Sequence, residues 1–415
     1  MHLNRKQQQE KQIGSGPIPV VLAVTPPFGW VFFEGLIGPI RAAGFSPTLV
    51  SAPGDQLRRI AQAAGAECAP IPMVREISPA RDLLSLWRFY RLMRRVKPII
   101  ADVGTPKAGL LGGLAALFAG VPCRLYTLRG LRLETTTGWK RRLLSLTECI
   151  ACACAHRVIC VGPSLRDRAV ELKLVSAEKT VVLGNGSCGI DVQRFSTNAR
   201  NSAVRDALAE RLNIPRGVPV IGFVGRLTRD KGIPELVAAF SQLRQDIPIL
   251  RLLLVGDFED GDPVPRALLK QIESDGSIIR TGFVPDTAPY YRLMDVFVLP
   301  TYREGFGEVS LEAQASGIPV VTTTATGVID SVVDGITGFL VPVGNSEILA
   351  SRIRLLLRDE NLRNRMGQAG RMRVVEQFSQ EIVANALVQE YRRILKVRRI
   401  ASLSIRKTDR KLLGN

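Results

Sequence analysis

Glu304 and Glu312, with seven residues between them, carry the clearest chemical signal in this sequence. Glu304 belongs to the run Arg303-Glu304-Gly305-Phe306-Gly307, directly after the apolar stretch Val296–Leu299, which reads as a strand. Val309-Ser310-Leu311-Glu312-Ala313 then reads as the opening of a helix. Glu304 is therefore expected in a loop at the carboxyl end of a strand, and Glu312 about one turn into the next helix. Gly305 and Gly307 let backbone approach a ligand closely. The N–H groups near Val309 and Ser310, orphaned at a helix start, would face a phosphate. A carboxylate at Glu312 can accept both hydroxyls of a ribose. Upstream, Val224-Gly225-Arg226-Leu227-Thr228-Arg229-Asp230-Lys231-Gly232 ends another strand and supplies Arg226 and Lys231. Two cations beside a helix N-terminus suit a diphosphate. Together these residues describe a sugar-nucleotide site: diphosphate on Arg226, Lys231 and helix N–H groups, ribose on Glu312, sugar near Glu304.

Three other patterns imitate sites. Gly184-Asn185-Gly186-Ser187-Cys188-Gly189 satisfies the spacing of a dinucleotide fingerprint, but Ile190-Asp191-Val192-Gln193 does not open a helix as that motif requires. It reads as a glycine-rich turn near a domain junction. Asp260-Gly261-Asp262 could hold a divalent cation, yet it lies among turn residues and reads as solvated acids. Cys149, Cys152, Cys154 and His156 cluster without a second ligand pair, so they read as small residues on a buried helix rather than a zinc site.

These residues need elements to position them. Short β-branched runs alternate with helical patterns along the whole chain. Strands are expected at Pro19–Val24, Thr48–Ser51, Ile99–Asp102, Arg124–Thr127, Val158–Val161 and Thr180–Leu183. Helices are expected between them at Asp55–Ala64, Ala80–Val96, Lys107–Ala119 and Trp139–Ala155. After a polar break from Asn198 to Pro215, a second series follows: Val218–Val224, Arg251–Val255, Ile278–Arg280, Val296–Leu299, Pro319–Thr322 and Gly338–Val341. Such alternation implies parallel βαβ units, and so an α/β protein of two doubly wound domains. Ligands of open parallel sheets bind at the carboxyl ends of strands, so two facing sheets would enclose a cleft. A last helix, about Gln380 to Val397, follows the second domain.

At these residues the chain resembles the retaining glycosyltransferases of family 4, whose GT-B fold has two facing Rossmann-like domains. Glu304 and Glu312 match the family's E-x7-E motif, and Ala315–Val321 and Asp334–Val341 are similar to its continuation. Gly225-Arg226-Leu227 with Lys231-Gly232 looks like the diphosphate motif, and Gly184–Phe195 like the interdomain stretch. Thr105–Gly112 resembles the capsular and exopolysaccharide branch. The resemblance implies an acceptor-binding domain over residues 1–197 and a nucleotide-sugar-binding domain over 198–379. A helix crossing back and a basic tail would fill 380–415. It further implies donor binding by Arg226, Lys231, Glu304 and Glu312, with Gly305, Phe306, Gly307, Val309 and Ser310 lining the phosphates. Backbone at Phe283 and Val284 would meet the base, while Gly29, Thr105 and Arg129 would face the acceptor. No metal or other cofactor is expected. Many members carry His-Gly where this chain has Arg129-Gly130, and the two histidines, His2 and His156, are not placed to serve. Arg129 is expected to hold phosphate charge instead.

The activity so implied is transfer of a hexose or N-acetylhexosamine from a UDP-sugar to a lipid-linked, polyprenyl-diphosphate acceptor. A sugar-nucleotide epimerase on the same fold, and a catalytically idle partner in a polysaccharide assembly complex, are the alternatives.

Composition bears on where this happens. The chain of 415 residues has 56 Lys+Arg against 38 Asp+Glu, a net charge of +18, and 46% apolar residues, which excludes bulk disorder. The charge is uneven: net +14 over residues 1–200, −2 over 201–380 and +6 over 381–415. Aromatics are only 6% and no basic strand is interleaved with them, which argues against nucleic-acid binding. Basic–apolar mixtures at Arg88, Arg91 and Arg95, with Leu84, Trp87 and Leu92 facing the core, and at Trp139–Arg142, suit an anionic membrane surface. The longest small-apolar stretch, Ala108–Val121, is too short to span a bilayer, and after the polar Met1–Gln12 the apolar run Ile18–Val24 is too short, and lacks the small-residue cleavage site, for a secretory signal. Seven cysteines, an odd number that does not flank the short loops of a small secreted domain, fit a reduced compartment. A cytoplasmic protein, peripheral on the inner face of the cell membrane, is the expectation.

Overall fold

The computed structural model describes residues 16–26, 29, 33–74, 78–196 and 203–398. The expectations for Met1–Gln12, for the boundary at residues 197–198 and for the basic tail from Arg399 onward lie outside them. The described strands form two all-parallel sheets. The first comprises β1 (Ile18–Ala23), β2 (Phe45–Val50), β3 (Glu67–Cys68), β4 (Ile100–Gly104), β5 (Cys123–Leu128), β6 (Arg157–Cys160) and β7 (Thr180–Val182). Its order is β3-β2-β1-β4-β5-β6-β7. The second comprises β8 (Val220–Val224), β9 (Arg251–Val255), β10 (Ile278–Arg280), β11 (Val296–Leu299), β12 (Val320–Thr323) and β13 (Gly338–Val341), in the order β10-β9-β8-β11-β12-β13. This is the doubly wound, two-domain α/β architecture expected. Strands covered on both faces must be apolar throughout, and β8, β11 and β12 are buried at every residue.

Helices of the first sheet are α1 (Ile37–Ala42), α2 (Asp55–Ala63), α3 (Pro79–Val96), α4 (Pro106–Phe118), α5 (Gly138–Cys154) and α6 (Pro163–Glu171). Those that follow are α7 (Ala203–Arg211), α8 (Ile233–Asp246), α9 (Arg266–Ser274), α10 (Ala288–Tyr291), α11 (Glu308–Ala315), α12 (Ser346–Arg358), α13 (Glu360–Gln377) and α14 (Gln380–Val397). Helix α14 packs on the first sheet, burying Ala384, Leu387, Tyr391 and Leu395 in one cluster with Leu22, Ile40 and Phe45. The Tyr391 hydroxyl donates to Asp102 Oδ2 at 2.7 Å, and Thr127 donates to the other oxygen at 2.9 Å. Asp102 is 1% exposed. An unsatisfied buried carboxylate would cost more than the ~1–3 kcal/mol of an ordinary orphaned polar group, so this contact also locks α14 in register.

Helix α3 departs from the expected orientation. Ser85, Phe89, Leu92 and Met93 are its buried residues, whereas Leu84 and Trp87 are 46% and 51% exposed. Its sequence offers two apolar stripes. Helix α4 packs on the Phe89 stripe, and Gly112 brings α4 close to the sheet, where a Cβ would meet Val103 at 2.8 Å. Strand β3 escaped the sequence reading because two exposed residues on a sheet edge carry no alternation.

Both sheets reverse direction once, the first between β1 and β4, the second between β8 and β11. A crevice opens at the carboxyl ends of the strands at each reversal. At the second, Gly232 caps α8 with a left-handed φ of 73°. A Cβ on it would overlap the carbonyl oxygen of Pro300. The loops after β8 and β11 therefore lie in backbone contact. Gly232→Ala should lower the thermal unfolding midpoint by several degrees, since a left-handed alanine alone costs about 1–3 kcal/mol. Gly261→Ala, with open space around it, should leave the midpoint unchanged.

Candidate active site

The loops at the second reversal bring Arg226, Lys231, Glu304 and Glu312 into one region. Lys231 Nζ is ion-paired with Glu304 Oε1, and both side chains are largely buried. Arg226 is paired with Glu259. Arg303 bonds Asp230 at 2.7 Å, and Thr228 donates to the same carboxylate's other oxygen at 2.5 Å, which holds the Asp230 carboxyl below its usual range against the opposing effect of burial. Asp262 Oδ2 accepts from the Asp230 amide at 2.7 Å. That second aspartate of Asp260-Gly261-Asp262 thus braces the loop after β8. Among the described residues no cluster of His, Cys, Asp and Glu could hold a metal ion.

Glu312 is held by a group the sequence reading missed. The Tyr291 hydroxyl lies 2.8 Å from Glu312 Oε2 and 3.1 Å from the Val309 carbonyl oxygen, with Thr287 Oγ1 3.4 Å from the same carboxylate oxygen. A phenol has one hydrogen for these two acceptors. It donates chiefly to Glu312, at the shorter distance, and shares the same hydrogen with the Val309 carbonyl. Burial pushes the Glu312 carboxyl up to about 7, against the Tyr291 hydrogen bond, and neighbouring Glu308 adds to the rise. Tyr291 is fully buried, its ring edge-on to Phe195 at 5.7 Å, so the hydroxyl cannot swing away.

The remaining expected residues divide. Gly307 caps α11 with a φ of 88°, as a helix start approaching a ligand requires. Ser310 is fully buried and its amide donates to the Gly307 carbonyl at 2.8 Å, so of the two amides expected to face phosphate, only that of Val309 is left. The Phe306 side chain turns inward, so only its backbone can face a ligand. It is 2% exposed, 5.4 Å from Phe378, and wedged where a Cβ on Gly186 would touch it at 2.6 Å. Phe283, 75% exposed, and Val284 follow β10 at the carboxyl edge of the sheet.

On the first sheet, Thr105 Oγ1 accepts from the Thr25 amide at 3.0 Å and bonds its hydroxyl at 2.7 Å, which ties the ends of β1 and β4 together at the reversal. Gly29 is buried against Val24. Arg129 turns inward, contrary to expectation: Nη1 donates to Cys188 Sγ at 2.6 Å and the guanidinium lies 4.8 Å from the Phe33 ring centre. Its charge faces Asp102, Glu308 and Cys188. His156 accepts from the Arg124 amide at 3.2 Å, and burial lowers it to about 4.

The domains meet directly at the cleft floor. Glu308, at the start of α11, accepts from Ser187 Oγ at 2.7 Å and the Cys188 amide at 2.8 Å, so the Gly184–Gly189 turn is engaged by the second domain. Asp330 accepts from the Ser164 amide and hydroxyl at 2.9 and 2.8 Å. Glu134 accepts from Thr326 at 3.0 Å. A Cβ on Gly305 would overlap the Arg129 carbonyl. Such long-range pairs leave no local pattern in sequence. A cavity of about 940 Å³ lined by Arg205, Arg216 and Asp295 lies at the opposite, amino-terminal end of β8 and β11.

The sequence profile of the glycosyl transferase 4-like domain matches residues 29–186, and that of glycosyl transferases group 1 matches residues 204–373. The capsular polysaccharide biosynthesis glycosyltransferase CapM of Staphylococcus aureus is 38% identical over 365 residues, 88% of this chain and 94% of that protein. The UDP-Gal:alpha-D-GlcNAc-diphosphoundecaprenol alpha-1,3-galactosyltransferase of Escherichia coli is 28% identical over 315 residues, 74% of this chain and 78% of that one. The structure of Anabaena Alr3699/HepE in complex with UDP-glucose shares the fold, with a TM-score of 0.75 and 20% identity across 90% of this chain and 99% of that one.

The Tyr291–Glu312 geometry predicts proton release when a diol-bearing ligand engages Glu312, because the ionised form is the better acceptor. Affinity for a nucleotide-sugar, whose diphosphate does not itself titrate near neutrality, should weaken as pH falls through about 7. Calorimetric titration in buffers of different ionisation enthalpy measures this. Glu312→Gln should abolish the pH dependence, and Tyr291→Phe should move it to higher pH.

Proposed function

The chain belongs to the family 4 glycosyltransferases, in the branch that builds capsular and related surface polysaccharides, and on that premise we propose a retaining transfer from a UDP-sugar to a polyprenyl-diphosphate-linked acceptor. The moving group is a hexose or N-acetylhexosamine. The observation that carries this reading is the convergence of Lys231, Glu304 and Glu312 at the reversal between β8 and β11. A diphosphate arriving there exchanges the carboxylate partners of Lys231 and Arg226 for phosphate oxygens. Glu312 takes the ribose diol, and the Val309 amide at the start of α11 adds a donor. Glu304, released from Lys231, is free to position the sugar and to face the positive charge that develops at its anomeric carbon. The bond from that carbon to the phosphate oxygen breaks as charge builds on the diphosphate beside Lys231 and Arg226. The acceptor hydroxyl attacks from the same face, and its proton passes to the departing phosphate oxygen.

The acceptor lies on the first domain, at the reversal between β1 and β4 where Gly29 and Thr105 sit. The name of the Escherichia coli relative includes a diphosphoundecaprenol acceptor, which supports a lipid-borne substrate here. No described helix is long and apolar enough to cross a membrane. We place the enzyme at the inner surface of the cell membrane, held by its basic first domain.

Lys231→Ala and Glu304→Ala should each lower kcat about 10²–10³-fold with labelled UDP-sugars and a polyprenyl-diphosphate-sugar acceptor. Near-normal turnover in both variants would exclude this site.

A further inference from the structure

We propose that the outer face of α3, α4 and α5 is the surface that docks on an anionic bilayer. This deepens the membrane attachment inferred above and rests on that reading for the lipid-borne substrate. Helix α4 packs between α3 and α5. Its sequence after Lys107, Ala-Gly-Leu-Leu-Gly-Gly-Leu-Ala-Ala-Leu-Phe, is apolar on every side, the composition of a helix covered all round. Yet its outer side is not covered. Leu110 and Leu114 are half-buried, and Leu117 and Phe118 are 41% and 64% exposed. Their spacing puts all four on one stripe. The neighbours extend it. Leu83, Leu84 and Trp87 on α3 are 68%, 46% and 51% exposed, and Trp139 and Leu146 on α5 are 67% and 57% exposed. Among the described residues, seven of the nineteen exposed large apolar side chains lie on these three helices, so this is a patch rather than the usual scatter.

Cations frame the patch. Arg91, Arg94, Arg95 and Lys97 are exposed on α3 and its cap, as are Lys140 and Arg141 on α5. The carboxylates of these helices are engaged: Asp82 pairs with Lys107 at 2.8 Å, and Glu148 is buried, accepting from Tyr126 at 2.7 Å. The Arg91 guanidinium lies 4.7 Å from the Trp87 ring centre, and Lys140 6.0 Å from that of Trp139. A bilayer surface satisfies both kinds of side chain at once, since indoles settle at the headgroup level and cations on lipid phosphates. An acidic protein partner would leave the leucine stripe unmatched. The chain's own tail begins close by, where Arg398 donates to the Pro122 carbonyl at 3.3 Å. Its residues beyond 398 carry five cations and one acid, the same sign as the face. Crossover helices run antiparallel to their strands, so the start of α5 with Trp139 and the first half of α3 with Leu83 and Leu84 lie towards the cleft end of the sheet, and Trp87 sits at mid-helix. Docking there presents the cleft to lipid-borne substrate.

The test is partition of the full chain onto vesicles of phosphatidylcholine, with and without phosphatidylglycerol. Binding should require the anionic lipid. Arg94→Gln and Lys140→Gln should each weaken it about fivefold, and Trp87→Ser with Trp139→Ser should abolish it, with unchanged circular dichroism. Met372→Ser, a 61% exposed apolar residue on α13, should have no effect. A chain ending at residue 398 should still bind. Equal binding to neutral vesicles, unaltered binding by the tryptophan variants, or loss on tail removal alone would overturn the proposal. The variants should retain transfer to detergent-dispersed acceptor. If the unaltered protein transfers no sugar from any UDP-sugar, the enzyme reading fails while vesicle binding still judges this surface.

Discussion

The site depends on one close approach of backbone to backbone. Gly305 lies against the Arg129 carbonyl of the other domain, and a Cβ on Gly327 would overlap the Glu304 carbonyl from behind. With the Glu304 amide donating to Thr326 at 3.0 Å, the turn is gripped on both sides. Only residues without side chains allow this, and the result is a glutamate whose position is set before any ligand arrives. Lys231 is fixed in turn, because Gly232 brings its loop against Pro300. The Arg129–Gly130 turn, where much of the family carries a histidine, contributes its backbone to this contact while its guanidinium serves the interior of the first domain.

Charge follows the same logic. The second domain is nearly neutral, with net −2 over residues 201–380, and cations at its cleft sit on carboxylates: Lys231 on Glu304, Arg226 on Glu259, Arg303 on Asp230. Such pairs keep the cations placed without an unbalanced charge in a partly buried crevice. A diphosphate can replace the carboxylates with little net change. The excess of the first domain meets no comparable set of acids on α3 to α5, and its cations remain at the surface beside apolar residues.

Much of this was legible in the sequence, for reasons that differ by element. Strands β9, β10, β11 and β13 occupy the spans expected of their β-branched and leucine runs, most plainly β11, which is apolar and buried at every position because both its faces are covered. The glutamates and cations stood at the ends of those runs, where open sheets bind ligands. What stayed hidden depended on partners distant in sequence. Tyr291 reads as one more core aromatic until Glu312 is seen above it. Glu308 reads as a helix-start acid until Ser187 and Cys188 are found on it from the other domain. The inward turn of Arg129 goes with its bond to Cys188, and the outward turn of Trp87 with the packing of α4 on the Phe89 stripe. The Phe306 side chain, sitting between two motif glycines, gives no sign in sequence that it packs as a wedge between domains.

The central claim, that the nucleotide-sugar sits at the reversal between β8 and β11, is tested most directly by a crystal structure of the protein with a non-hydrolysable UDP-sugar. The account predicts the diphosphate on Lys231 and Arg226, both parted from Glu304 and Glu259, with the ribose diol on Glu312. Nucleotide at the reversal between β1 and β4, or in the cavity beside Arg216, with the Lys231–Glu304 pair intact, would contradict it.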